Sequence, residues 1–504
     1  MPAALDLRLV PSALAAWAAT AAAITWCLGP MIASGCAVLA AGWALAGWRL
    51  GGRYPMLLAF HAGVVGAAVV GAGFGLAAGL RSDATLHHPL SQRFGDTAWM
   101  TAAADESPHS VGGGRLMFRA RLLRFEDREM ACSVTVFAAA RDFSELTAGQ
   151  PVRFRARISG PKRRDLTVAV LTVTGRPEFG QAGLIQRTAQ SLRKGFSALA
   201  REVLPAGQAA ILPGLVLGDT AMVDAATTAE FRTAGLTHLT AVSGANVTIV
   251  CGVVLLCAGL IGPRTAVVLA GLALAMFVVV VQPGASVLRA AVMGSITLLA
   301  VLTSRRHQTI PALAATVLAV LLWAPQLAVD VGFALSVSAT AALVLVAPVW
   351  SGKLVARGWP KVLADAVCVA LAAHVVTAPL IAAISGRLSL VSVLANVVVA
   401  VVIPPITVLG TAAAALSAVW PGAAGLLIRF TGPELWWLLS VGHTAAEVPG
   451  ASVPVPTGWA GLACVGALTI TGVLLWSRLW FRRLCALLAL CVLAWSVSGL
   501  VGPA

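Results

Sequence analysis

Charge is what this chain has least of. Asp, Glu, Lys and Arg together make up only 11% of its 504 residues, against 59% hydrophobic, and mean hydropathy is +0.89. These values exclude an ordinary soluble domain and indicate a polytopic membrane protein. Several chemistries are missing as well. The nine cysteines form no C-x-x-C pair and no metal-ligand cluster, and no H-E-x-x-H or H-x-H-x-D-H run occurs, so no metal and no cofactor is expected. The absence of G-x-x-x-x-G-K-[ST] excludes ATP hydrolysis by a P-loop. Any transport would need an external motor or a gradient. Cys251, Cys257, Cys368, Cys485 and Cys491 lie in apolar runs as small packing residues, and Cys132 stands alone in a polar insert that can therefore hold no internal disulfide.

What remains is mostly span. Apolar runs of about 18 residues or more predict some thirteen transmembrane helices. Three come first, at 9–28, 31–50 and 56–80. Ten follow, at 237–261, 265–281, 286–303, 309–323, 328–350, 361–386, 389–418, 424–447, 457–476 and 484–501. No cleavable signal pattern precedes the first, which reads as a retained span. The fold class is thus a polytopic α-helical membrane protein, some helices broken, with a small β-domain. Its expected parts are N-terminal helices over 1–80, the β-domain over 81–184, an interfacial helix over 185–204, a main polar membrane region over 205–420 and C-terminal helices over 421–504.

The net charge of +15 is distributed by side. Arg49 and Arg53, Arg264, Arg305 and Arg306, Lys353, Arg357 and Lys361, and Arg478, Arg482 and Arg483 fall on alternate loops, with Arg387 alone on the other side. By the positive-inside rule those loops are cytoplasmic and the β-domain is extracytoplasmic.

Within the insert, "GRLMFRARLLRFEDREMACSVTVFAA" and "GQPVRFRARISGPKRRDLTVAVLTVTG" alternate with period two, which predicts about five strands over 112–175, barrel-like in size. Arg153, Arg155 and Arg157 alternate with apolar residues and should share one strand face, close to Lys162, Arg163 and Arg164. Such a face suits an anionic polymer, and it equally suits a solubilised surface or a patch against anionic lipid. From 185 to 204 the apolar positions Ile185, Leu192, Phe196, Leu199 and Val203 lie near one helical side with Arg187, Arg193, Lys194 and Arg201 elsewhere, as in an amphipathic helix lying in the interface.

Polar groups in the membrane region concentrate in four segments, at 214–247, 282–294, 330–345 and 389–410. Ionisable residues at membrane depth are costly and point to function. Asp330 and Arg289 fall near outer ends of spans, where they snorkel or pair with each other. His374 and His443, in apolar helices, read as packing residues. His238 and Ser243 are five residues apart, roughly 140° around a straight helix, so they cannot pair as a hydrolase couple unless the helix breaks near Ser243-Gly244.

In order, "LVLGDTAMVDAATTAEFRTAGLTHLTAVSGANV" (215–247), "VLRAAVM" (287–293), "DVGFALSVSA" (330–339) and "TAPLIAAISGRLSLVSVLANVV" (377–398) resemble the ComEC family of competence proteins. The resemblance spans about 200–410, and the opening helices and β-domain look like the family's first region, an oligonucleotide-binding (OB) barrel. It implies a channel, not an enzyme, that passes single-stranded DNA across the cytoplasmic membrane during natural transformation. The competing readings are a transporter of another solute, an intramembrane hydrolase and a membrane scaffold that has lost transport. Asp219, His238, Thr240, Ser243, Asn246, Arg289, Asp330 and Asn396 would line the channel, and Arg153, Arg155, Arg157, Lys162, Arg163 and Arg164 would bind DNA. The implied partners are single-stranded DNA, the lipid bilayer, a DNA receptor outside, a separate nuclease and a cytoplasmic helicase motor. Where many members read S-G-L-H-V, this chain has Asn246, an amide in place of a proton-transfer group. Many members continue into a metallo-β-lactamase-like domain; because the sequence stops at Ala504, no zinc site of that kind is expected.

Overall fold

A computed structural model describes residues 6–476 except 51–54, 107, 127, 145, 241, 243, 283–284 and 303–308, together with 478–480, 482–484 and 487. Ser243, Arg53, Arg305, Arg306 and nearly all of the expected last span lie outside the described residues. Among the described residues, six helices are long and apolar enough to cross a membrane: Gly29–Arg49, Phe60–Arg93, Pro263–Val281, Val331–Val355, Lys361–Ser385 and Gly458–Leu475. A seventh is formed if Ser392–Val399 and Ile403–Leu416, which meet at 54°, count as one broken span. Val10–Trp26, Ala206–Leu217, Gly244–Gly259, Val287–Leu299 and Thr309–Trp323 are apolar but shorter.

Breaks account for much of the difference from the expected span list. The run at 424–447 is divided between Pro421–Phe430 and Gly432–Glu447, with Pro433 in the first turn of the second helix, where its missing N–H costs nothing. The bend in 389–418 falls at 400–402, just before Pro404-Pro405, for the same reason. Among the described residues of the run expected to cross as 237–261, the α-helix is Gly244–Gly259, preceded by a 3-10 turn at Thr237–Leu239.

The described residues cluster into two compact units, one of 1–197 with 243–334 and one of 198–242 with 335–504. The first contains the β-domain. Its strands are β1 (Thr97–Ala104), β2 (His109–Gly112), β3 (Arg115–Phe125), β4 (Arg128–Ala139), β5 (Pro151–Ser159) and β6 (Ala169–Phe179). Five close into a barrel in the order β1-β5-β6-β4-β3, sealed by β1 against β3, with β2 paired to β3. Among the described strand pairs of the barrel, β4 and β6 alone run parallel. Alternation builds the core: Val152, Phe154, Ala156 and Ile158 of β5 are fully buried, as are Phe118, Leu122, Val134, Val136 and Leu171. Phe143, from the short helix Ala140–Phe143, packs against Phe118 and Phe154 with ring centroids 5.9 and 6.0 Å away. The barrel begins earlier than the alternation at 112 suggests, because β1 (TAWMTAAA) buries Ala and Met rather than branched residues. Burial pushes the Cys132 thiol up to about 12, so it stays protonated.

Three contacts hold the barrel to helices of its own unit. Arg164 Nη1 donates to the carbonyl of Thr25 at 3.4 Å and contacts Cys27 Sγ at 3.2 Å, at the C-terminal end of Val10–Trp26, where a cation complements the helix dipole. Leu166 packs with Ala23, Ile24, Ala78 and Val329. Arg119 Nη2 on β3 lies 3.8 Å from Asp330 Oδ2.

Helix Leu184–Val203 matches the expected amphipathic element; within the first unit its Arg193 donates to the carbonyls of Val280 and Val281 at 3.2 Å. In the second unit, β7 (Arg387–Ser389) and β8 (Ser452–Pro454) form a two-stranded antiparallel ribbon.

Candidate functional site

The polar stretch 235–247 is a turn followed by a helix start. Helix Ala225–Ala234 opens on Asp224, whose Oδ1 accepts from the Thr227 N–H at 2.6 Å; that bond holds the Asp224 carboxyl below its usual range. The helix ends at Gly235, with φ of 73°. Thr237–Leu239 then forms a single 3-10 turn. His238 is exposed on it, while the Thr240 hydroxyl donates to the Thr237 carbonyl at 2.8 Å and is thereby spent on its own turn. Upstream, Asp219 accepts from the Ala221 N–H at 3.2 Å, closing a local turn after Ala206–Leu217.

The second unit joins this turn to the fourth polar segment. The Ser392 hydroxyl stands where a Cβ on Gly235 would be, so both the left-handed backbone and the close approach require glycine there. Asn396 Nδ2 donates to the Ser392 carbonyl at 2.8 Å and reaches the Ser392 hydroxyl at 3.3 Å and the Gly235 carbonyl at 3.4 Å. Ser389 donates to the Thr233 carbonyl at 2.7 Å. Asn396 and Ser389 thus each bring a donor to one carbonyl at the C-terminal end of a helix far away in sequence.

On the same helix, Glu230 meets a residue that the sequence reading took for packing. His443 is exposed, with Nδ1 2.9 Å from Glu230 and Nε2 3.2 Å from Glu447. Glu447 lies one turn on in the same helix and is readable from the spacing, whereas Glu230 lies 213 positions away and is not.

In the first unit, the second and third polar segments occupy different settings. Arg289 is buried, only 6% exposed, and a Cβ on Gly244 would stand 2.6 Å from its Nη2. Glycine therefore makes room for the guanidinium at the start of Gly244–Gly259. Asn246 is buried two residues further along that helix. Asp330 takes Arg119 as its ion-pair partner, not Arg289, and its Oδ1 accepts from the Phe333 N–H at 2.8 Å, capping Val331–Leu345. Trp17 supports the same corner: its Nε1 donates to the Ala328 carbonyl at 2.9 Å and its ring lies 5.3 Å from Phe333.

On the barrel, Arg153, Arg155 and Arg157 are exposed on one outer face of β5. Trp99 sits directly across from Arg155 on β1, exposed, with the Arg153 guanidinium 5.2 Å from its ring centroid. Arg153 also reaches Glu178 at 3.6 Å. Lys162 and Arg163 are exposed in the β5–β6 connection, whereas Arg164 turns to the Thr25 carbonyl. Trp99 went unnoticed in the sequence because β1 lies upstream of the recognised alternation. No group of three or more His, Cys, Asp or Glu residues that could hold a metal occurs among the described residues.

Fold and site together define an α-helical membrane protein carrying a closed five-stranded barrel, with its polar residues gathered at helix ends. The family model described as competence protein matches residues 215–496, over half of the chain, and the chain belongs to that family, the ComEC-like competence proteins. No curated protein and no solved structure matches it.

Proposed function

We propose that this protein is a channel that passes one strand of incoming DNA across the cytoplasmic membrane during natural transformation. The observation that carries this reading is the competence-family match over 215–496. The barrel supports it. Five strands with a single parallel pair, and a short helix between β4 and β5, have the connectivity of an OB-fold, a frequent single-strand binder. In this reading the barrel is extracytoplasmic, and Arg153, Arg155, Arg157, Lys162 and Arg163 collect the strand through its phosphates.

The membrane path uses the polar helix ends. Irregular backbone is tolerated at membrane depth only where it faces protein or water, and among the described residues of 235–242 the only helix is the single 3-10 turn Thr237–Leu239. In this reading Asn246 and Arg289 line the path in the first unit, with Arg289 offering a phosphate contact, Ser243 is assigned to the lining by its place in the sequence alone, and in the second unit the lining residue is His238. Asp219 and Thr240 shape the turn beside it. Asp330 and Asn396 act mainly by holding their neighbours, since their polar atoms are engaged by Arg119, the Phe333 N–H, Ser392 and Gly235. An outside DNA receptor, a separate nuclease and a cytoplasmic helicase would supply capture, strand degradation and driving force.

The test is a deletion of the family gene in a naturally transformable strain, scored for uptake of labelled DNA and complemented with this protein as wild type, Arg289→Ala or His238→Ala. Loss of uptake on deletion, and at least tenfold reduction with each variant at normal membrane abundance, is expected. Normal uptake in the deletion strain would overturn the reading in favour of transport of another solute.

A further inference from the structure

The Arg-rich face of the barrel carries a feature that phosphate binding alone leaves unexplained. Trp99 is 42% exposed on the outer face of β1, where the neighbouring outward residues are Thr97, Thr101 and Ala103. The indole therefore rises above a floor of small side chains. Across the ladder Thr97, Trp99 and Thr101 face Arg157, Arg155 and Arg153 of β5, and on the other edge Thr101 faces Arg124 of β3. The Arg153 guanidinium lies over the indole at 5.2 Å, a cation–π contact that restrains the ring. A restrained, exposed aromatic ring bordered by four guanidiniums has two recognition chemistries side by side: a π-face for a base and cations for the phosphates on either side of it.

We infer that Trp99 is a base-stacking platform that makes this face select unpaired nucleotides over duplex. The inference rests on the DNA-channel reading and adds to it the residue that reads strandedness. Arginines alone do not discriminate, because single strands and duplexes both present phosphates. A base face is available to an indole only when the base is not stacked inside a helix, and stacking of this kind tolerates any sequence. Trp99 is thus a specificity residue, and the arginines set affinity.

The test uses the full-length protein purified in detergent and three fluorescein-labelled probes read by anisotropy across a potassium chloride series. The probes are an oligothymidine, an abasic strand of equal length, and a duplex of equal length. Wild type should bind oligothymidine about tenfold more tightly than the abasic strand. Trp99→Ala should lose that advantage while its affinity for the abasic strand and the duplex, and its salt slope, stay as in wild type. Trp99→Phe should restore most of the loss, since a phenyl ring still stacks. Three results overturn the inference alone. They are unchanged oligothymidine affinity in Trp99→Ala, an equal loss on all three probes, and reduced reconstitution into anionic phosphatidylglycerol vesicles with unchanged DNA binding, which would make Trp99 an interfacial anchor. Failure of wild type to bind any probe at low salt would overturn the channel reading and this inference with it.

Discussion

The barrel and the helical region use the same side chain in opposite ways. On β5 the arginines stand in the open, with the Arg153 side chain 58% exposed, while Arg289 in the helical region is 6% exposed and fits against a glycine. An exposed guanidinium costs little and exchanges partners freely, which suits gathering a mobile polyanion. A buried one is expensive unless engaged, so its surroundings must be built around it. The helical region consequently uses glycines, amides and hydroxyls for close approaches, at Gly235, Gly244 and Asn396, whereas Arg155, Arg157, Lys162 and Arg163 on the outside of the barrel stay exposed. Substitutions should therefore damage stability in one region and binding in the other.

The largest effect is expected at Gly235. Alanine there would be strained at φ of 73° and would collide with Ser392, so Gly235→Ala should destabilise the protein by about 3 kcal/mol, read as a lower thermal midpoint in detergent. A midpoint within a degree of wild type would break the comparison on the helical side. On the barrel side, replacing Arg153, Arg155 and Arg157 together by Gln should leave the midpoint unchanged. Oligothymidine binding should weaken at least tenfold, and the dependence of log affinity on log salt should flatten by about 2 to 3 units. An unchanged slope would remove those arginines from the phosphate path.

A smaller effect is expected at Asp224, the cap of Ala225–Ala234. Asp224→Ala should cost about 1 kcal/mol. Because hydrogen bonding lowers the folded-state pKa of this carboxyl, its contribution is present above the ordinary Asp value near 3.9 and is lost as pH falls through the lower folded value. The variant should match wild type most closely in acid, and a gap that widens on acidification would contradict the cap. The smallest effect is the Arg119–Asp330 pair. At 3.8 Å with both groups partly exposed, a double-mutant cycle of Arg119→Ala and Asp330→Asn should give a coupling of about 0.5 kcal/mol. A coupling above about 2 kcal/mol would mean that the barrel is locked to the helices of its unit.

Parts of this were legible in the chain and parts were not, and the division follows range. Alternation in β5 put Val152, Phe154, Ala156 and Ile158 on one side and three arginines on the other, because a strand has period two whatever surrounds it. The amphipathic helix at Leu184–Val203 was readable for the same local reason. The strand β1 was obscured by its alanines, and with it Trp99. The α-helix in the run 237–261 is shorter than hydropathy suggests, since the apolar average does not register the 3-10 turn Thr237–Leu239 ahead of Gly244–Gly259.

By itself the sequence determined the membrane class, the basic strand face, the family and the segments where polarity gathers, all properties of composition, period or motif order. Only tertiary structure decided what those polar residues touch. Asn396 reaches Gly235 across 161 positions, His443 reaches Glu230 across 213, and Asp330 chooses Arg119 over Arg289. Polar groups away from water must find partners, and the identity of each partner depends on which helix ends the packed chain brings together.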